Sequence, residues 1–202
     1  MKKKRKTLYI LLTALLVLLI SSTTLSLWLE RNPAIQHRTL ITNLSQQDLP
    51  LQESLAKARL EISRNELNKA EILLLALVAK YPKESEVRLA LGQVYCKQKR
   101  YQQAEQTYRQ HTLYHPNLAS GYQKLSAVQV KLANYIDAEK NILQARQLSP
   151  QDNSILLQAA DFYALRNEKD KAMNFLYMAM NNGAEVSQIK NYPNIMKMQE
   201  TP

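Results

Sequence analysis

A chain of 202 residues that is 46% hydrophobic and 22% charged, with three glycines and seven prolines, can hold one ordinary core and excludes a collagen-like or largely disordered polymer. The formal charge of +10 is uneven: five basic residues crowd positions 2–6, so the remainder is only mildly basic and gives little support for nucleic-acid binding. The single cysteine, Cys96, excludes an intramolecular disulfide, leaves folding to packing alone, and reads as a small buried apolar group rather than a reactive thiol.

The basic stub, residues 1–6, is followed by a run without charge from Thr7 to Leu29. At about 1.5 Å per helical residue this run reaches across the roughly 30 Å hydrocarbon core of a bilayer, which predicts a transmembrane anchor over 7–29. Trp28 falls at the far interface, where indoles collect. A cleaved signal peptide is the alternative, but the apolar run resumes after Ser21 to Thr24 with Leu25, Leu27, Trp28 and Leu29, and no A-x-A-like triplet appears. The basic cluster orients the anchor with its N-terminus inside, so everything after Glu30 is expected on the far side. In a bacterium that means a single-pass protein of the inner membrane with a periplasmic domain.

Residues 30–50, bounded by Pro33 and Pro50, read as a spacer in which Leu40, Ile41 and Leu44 allow a short helix. Beyond it the chain repeats. Pro82, Pro116 and Pro150 stand 34 residues apart, and so do Ala70, Ala104, Ala138 and Ala172. At that period residues 51–186 divide into blocks 51–84, 85–118, 119–152 and 153–186, each expected to form two amphipathic helices joined by a tight turn. Ala58, Gly92, Ser126 and Ala160 form a small-residue column where paired helices cross closely. Leu74, Tyr108, Ile142 and Leu176 form a large one, and the prolines stop one pair before the next begins. A helix pair of this size cannot bury both its faces alone, so the pairs must stack.

These columns resemble the tetratricopeptide repeat (TPR) family. The second block carries the family's leucine, glycine and tyrosine as Leu91, Gly92 and Tyr95, its alanine as Ala104, the bulky residue as Tyr108 and the closing proline as Pro116. The third keeps Tyr122, Leu125, Ala138, Ile142, Ala145 and Pro150; the fourth keeps Tyr163, Ala172, Leu176 and Ala179, with Ala184 in place of the proline. The first block departs most, with Lys57 and Glu61 at expected apolar positions, which leaves an irregular first helix or a shifted register open. The resemblance implies an all-α, right-handed solenoid of about four helix-turn-helix repeats after one transmembrane helix. Asn181, Asn182 and Gly183 supply a helix stop, and the tail 187–202 is too short for another pair. Its Ile189, Tyr192, Ile195 and Met196 are expected to cover the open end of the last repeat.

No phosphate loop, nucleophile elbow or paired-cysteine metal motif is present, and the scattered carboxylates sit beside basic residues as solvated helix faces do. No catalytic residue, cofactor or metal is therefore expected. His111 and His115 have the spacing of a helical metal pair, yet a zinc site needs three or four protein ligands, which makes a metal-dependent enzyme the weakest reading. The resemblance instead implies a concave groove lined by the first helices: Arg59 and Ile62; Leu89, Gln93 and Cys96; Gln123, Ala127 and Val130; Leu157, Asp161 and Ala164. Its small and apolar character suits an apolar or amphipathic protein segment. A second patch, Ile72, Leu75 and Ala79, calls for a cover from the spacer, a partner or a second copy of the chain. The function expected is a membrane-tethered, non-enzymatic scaffold or assembly factor in the cell envelope, for pilus or secretion assembly, cytochrome c maturation or envelope biogenesis. A soluble periplasmic chaperone released by signal cleavage is the alternative.

Overall fold

The computed structural model describes residues 32–46 and 50–200. The candidate anchor, 7–29, lies outside them, and among the described residues no helix is long and apolar enough to cross a membrane. The chain divides into two units at Pro50 and Leu51. In the first, the spacer forms one helix, α1 (Pro33–Gln46).

The second unit is built of helix pairs: α2 (Leu51–Ser63) with α3 (Leu67–Lys80), α4 (Ser85–Lys97) with α5 (Tyr101–Tyr114), α6 (Ala119–Lys131) with α7 (Tyr135–Leu148), and α8 (Asn153–Leu165) with α9 (Lys169–Asn181). From α2 to α9, successive helices pack against one another in chain order. Helix α2 is regular despite Lys57 and Glu61, because Lys57 turns to solvent and Glu61 is only half-buried.

Two turn types alternate. Within each repeat the first helix ends on a residue in the left-handed region: Asn65, Lys99, Ala133 and Asn167, with φ of 61°, 60°, 58° and 59°. The amide of each bonds three residues back and the next amide five residues back, as in Ala133 to Val130 and Asn134 to Gln129, which is the Schellman closure. Between repeats the proline occupies the second position of a β-turn, closed by Glu84 to Tyr81, Leu118 to His115 and Asp152 to Ser149. A further Schellman closure at Gly183, φ 83°, ends α9.

The core follows the columns. Ala58, Ala70, Leu74, Leu77, Ala104, Ala138, Ile142, Ala172 and Leu176 are buried between helices. A Cβ on Gly92 would lie 2.3 Å from the Tyr108 ring, so the glycine is what lets that phenol cross its partner helix. At the equivalent junction Ser126 tucks its hydroxyl onto the Ala138 carbonyl at 2.8 Å.

A polar ladder runs beside this core. Glu71, Glu105 and Glu139 stand 34 residues apart on the second helices, and each accepts a hydrogen bond from the next repeat. Glu71, nearly buried, takes Arg100 at 2.6 Å and Gln98 at 3.0 Å. Glu105 takes Gln129 at 3.2 Å, and Glu139 takes the Tyr163 hydroxyl at 2.8 Å. Buried polar groups cost little only when paired, so each rung fixes the register of one repeat against the next. In the last repeat the column holds Met173, 41% exposed, beyond which the chain turns into its tail.

The tail forms a single turn, α10 (Val186–Ile189), and a helix, α11 (Pro193–Glu200). Ile189 and Ile195 are buried against the last repeats, with Tyr192, Met196 and Met198 partly so. Helix α11 packs on α8, the first helix of the last repeat. Met173, Tyr177 and Met180 on α9 therefore stay open to solvent rather than under the tail.

Candidate protein-binding groove

The first helices of successive repeats share one face, and there α2, α4 and α6 form a cleft of about 420 Å³ lined by Arg59, Glu86, Leu89, Ala90, Gln93, Cys96, Tyr108 and Lys124. Arg59, Leu89, Gln93 and Cys96 are thus brought together as the repeat register predicts. Glu86, Ala90 and Lys124 join them from the same helices, and Tyr108, expected only as a large core-column residue, joins them from the second helix behind. Arg59 and Glu86 close the rim with an ion pair of 2.7 Å between α2 and α4. Both side chains are mostly exposed, so the pair is worth well under about 1 kcal/mol and can open readily.

The floor is apolar with one polar seam. The Cys96 thiol is hydrogen-bonded to the Tyr108 hydroxyl, and burial, the larger effect, raises its pKa. Burial likewise drives the Tyr108 phenol far above its ordinary range. Neither group ionises near neutral pH, so this seam offers a donor and a soft apolar surface but no nucleophile.

Two predicted groove residues are not surface at all. Ile62 is 7% exposed and Leu157 1%, because each stands where its helix turns toward the core instead of the free face. Val130 packs partly against the core as well. In the third repeat Gln123 bonds Ser154 at 2.8 Å and its carbonyl accepts from Gln158 at 3.0 Å, joining α6 to α8, while Ala127 is half-buried. In the fourth, the Asp161 carboxylate is occupied by the tail: it accepts the Asn194 amide and side-chain nitrogen, both at 2.8 Å, and the Ile195 amide at 3.2 Å. Ala164 lies beside that contact in a hollow of about 290 Å³. The open groove therefore spans the first three repeats. Of the second patch, Ile72 and Leu75 are half-buried and Ala79 is exposed.

The histidine pair belongs to the junction of the second and third repeats. The His111 and His115 rings lie 5.0 Å apart, and among the described residues no group of three histidine, cysteine or acidic side chains is placed to hold a metal. His111 is fully buried, with Nε2 2.7 Å from the Ser85 hydroxyl. Its Nδ1 has no partner and faces Gly121, where an added Cβ would lie 2.2 Å away. The bulky imidazole, in a column that continues as Ala145 and Ala179, is thus accommodated by a glycine at the position that holds Ile155 in the next repeat. Burial, then His115 and the buried Arg88, hold the His111 pKa down to about 4. Arg88 stacks on Tyr114 at 4.3 Å and donates to the Pro82 carbonyl.

Comparison with known proteins agrees with this architecture. Residues 49–106 match the model of a family of unknown function, DUF6584, which is less than half of the chain. No curated protein sequence matches significantly. Among solved structures, a crystal structure of MamA aligns with a TM-score of 0.61 at 16% identity, covering 72% of this chain and 85% of that one. TTC0263, a thermophilic TPR protein of Thermus thermophilus, gives 0.66 at 19% identity over 75% and 82%. YrrB, a TPR protein with an unusual peptide-binding site, gives 0.56 at 17% identity over 73% and 81%. Identities this low carry the fold alone, and the fold is the all-α repeat solenoid of the TPR proteins.

Proposed function

We propose that this chain is a non-enzymatic scaffold or assembly factor that binds an apolar or amphipathic segment of a partner protein. The observation that carries the reading is the cleft on α2, α4 and α6, where Leu89, Ala90 and Cys96 form an apolar floor between polar rims at Arg59, Glu86, Gln93 and Lys124. A segment docks there by placing apolar side chains on the floor while the rim fixes its register; no covalent step is involved. The likeness in fold to a TPR protein with a peptide-binding site supports a peptide segment as the partner. The basic stub and the apolar run 7–29 support tethering in a bacterial inner membrane, with the repeats on the periplasmic side and the partner drawn from an envelope assembly system.

A photo-crosslinker placed in intact cells at Gln93 or Lys124 should capture one discrete protein, and Leu89→Arg should abolish the capture while leaving the helical signal intact. Equal capture from Lys140, an exposed position on α7, or capture that survives Leu89→Arg, would refute the reading.

A further inference from the structure

The contact between Asp161 and the tail has the chemistry of a helix cap supplied from another helix. The residue before α11 is Tyr192, whose hydroxyl is engaged with the Ser154 carbonyl at 3.2 Å and whose side chain has no acceptor near its own helix start. Pro193 takes the first helical position and needs no acceptor, since it has no amide hydrogen. The next two amides, of Asn194 and Ile195, are the ones a capping side chain normally satisfies, and Asp161 satisfies both. Its negative charge also faces the positive end of the α11 dipole.

Asp161 occupies the free-face column that elsewhere holds Arg59, Gln93 and Ala127, so the carboxylate occurs where the tail docks and in no other repeat. The seat buries one side chain of α11 completely and Met196 and Met198 in part. Helix α11 rests on α8, with Ile195 as the one fully buried side chain among its described residues, and a hollow of about 290 Å³ stays open along its flank beside Ala164 and Lys197.

We propose that the face of α8 around Asp161 is a docking site for a short amphipathic helix that enters with its N-terminal amides on Asp161, and that the chain's own tail holds this site in competition with a partner helix of the same chemistry. Release of α11 extends the open groove from three repeats to four. The proposal rests on the reading of the free face as a binding groove, but it concerns a different repeat from the cleft.

The test uses the full chain and, as probe, a fluorescent synthetic peptide with the sequence of residues 185–200. Ile195→Glu detaches the tail, and the peptide should then bind at least tenfold more tightly than to the unaltered chain. Asp161→Arg added to Ile195→Glu should remove that gain, whereas Leu89→Arg should not, which separates failure here from failure of the cleft reading. Equal peptide affinity for the unaltered and Ile195→Glu chains overturns the proposal, as does collapse of the helical signal on Ile195→Glu, which would make the tail a structural cap. Hydrogen exchange on the unaltered chain gives an independent reading: amides of residues 196–200 should exchange at least tenfold faster than the core amides of α8, and exchange of both only through global unfolding overturns the proposal.

Discussion

Replacing Gly121 by alanine tests the fit between the second and third repeats with one methyl group. The new Cβ would sit 2.2 Å from His111 Nδ1 and 2.8 Å from Cε1, and the ring cannot swing away freely because Nε2 is tied to Ser85 and His115 lies against it. Overpacking of a closed core costs about 1–3 kcal/mol. Alanine in a helix is better than glycine by up to about 1 kcal/mol, and less in the first turn, where Gly121 stands. The net expectation is a loss of roughly 1–2 kcal/mol, or a fall in Tm of about 3–6 °C, read by circular dichroism during thermal and urea unfolding. In a His111→Ala background the obstacle is gone, so the same Gly121→Ala change should be neutral or stabilising. That reversal of sign is the decisive measurement. A stabilised single variant, or the same loss in both backgrounds, would refute the account of His111 and Gly121 as complementary shapes.

His111 also makes stability depend on pH. With its pKa held near 4 in the folded chain against about 6.5 unfolded, the unfolded state binds the extra proton first, so stability is complete above about pH 6.5 and falls as pH drops toward 4. The loss approaches about 3 kcal/mol at most, and it should vanish from the urea-unfolding pH profile of His111→Ala. Ala133 holds φ of 58° in an exposed turn, a conformation glycine adopts without strain, so Ala133→Gly should stabilise by roughly 0.5–1 kcal/mol; a lowered urea midpoint would contradict the left-handed assignment.

The solenoid was legible because its columns obey rules that leave residue types behind. Pro82, Pro116 and Pro150 mark the β-turns, and Gly92 and Ala104 mark close helix crossings, so the period could be read from identities alone. The turns within repeats left no such mark. Asn65, Lys99, Ala133 and Asn167 share a left-handed backbone but no glycine, because backbone hydrogen bonds on both sides hold the conformation against its modest cost. The carboxylates misled in a different way. Glu66 with Lys69 and Glu168 with Lys171 are the surface pairs their spacing suggests, with Glu168 half-buried, whereas Glu71 is buried under Arg100. Reading the 34-residue period on polar as well as apolar residues exposes Glu71, Glu105 and Glu139 together.

The groove was legible only in its middle. Arg59, Leu89, Gln93 and Cys96 follow from repeat register, but Ile62 and Leu157 fall one helical step inside the face, which a column count cannot resolve. That the tail would occupy Asp161 depends on a contact across 33 residues of sequence between an acidic side chain and the start of a helix. Neither partner carries a local signal for it.

The glutamate ladder also bears on how such a chain can change length. Its last two rungs each join a glutamate to a donor 24 residues later, Glu105 to Gln129 and Glu139 to Tyr163, so both ends of a rung move together when one whole period is removed or copied. Excising residues 119–152 would bring Tyr163 opposite Glu105, donor to acceptor as before. Gain or loss of a repeat inside the array therefore preserves its polar pairing, while growth past α9 meets Met173, which has no carboxylate to accept such a bond. The array is editable in its interior and closed at its end.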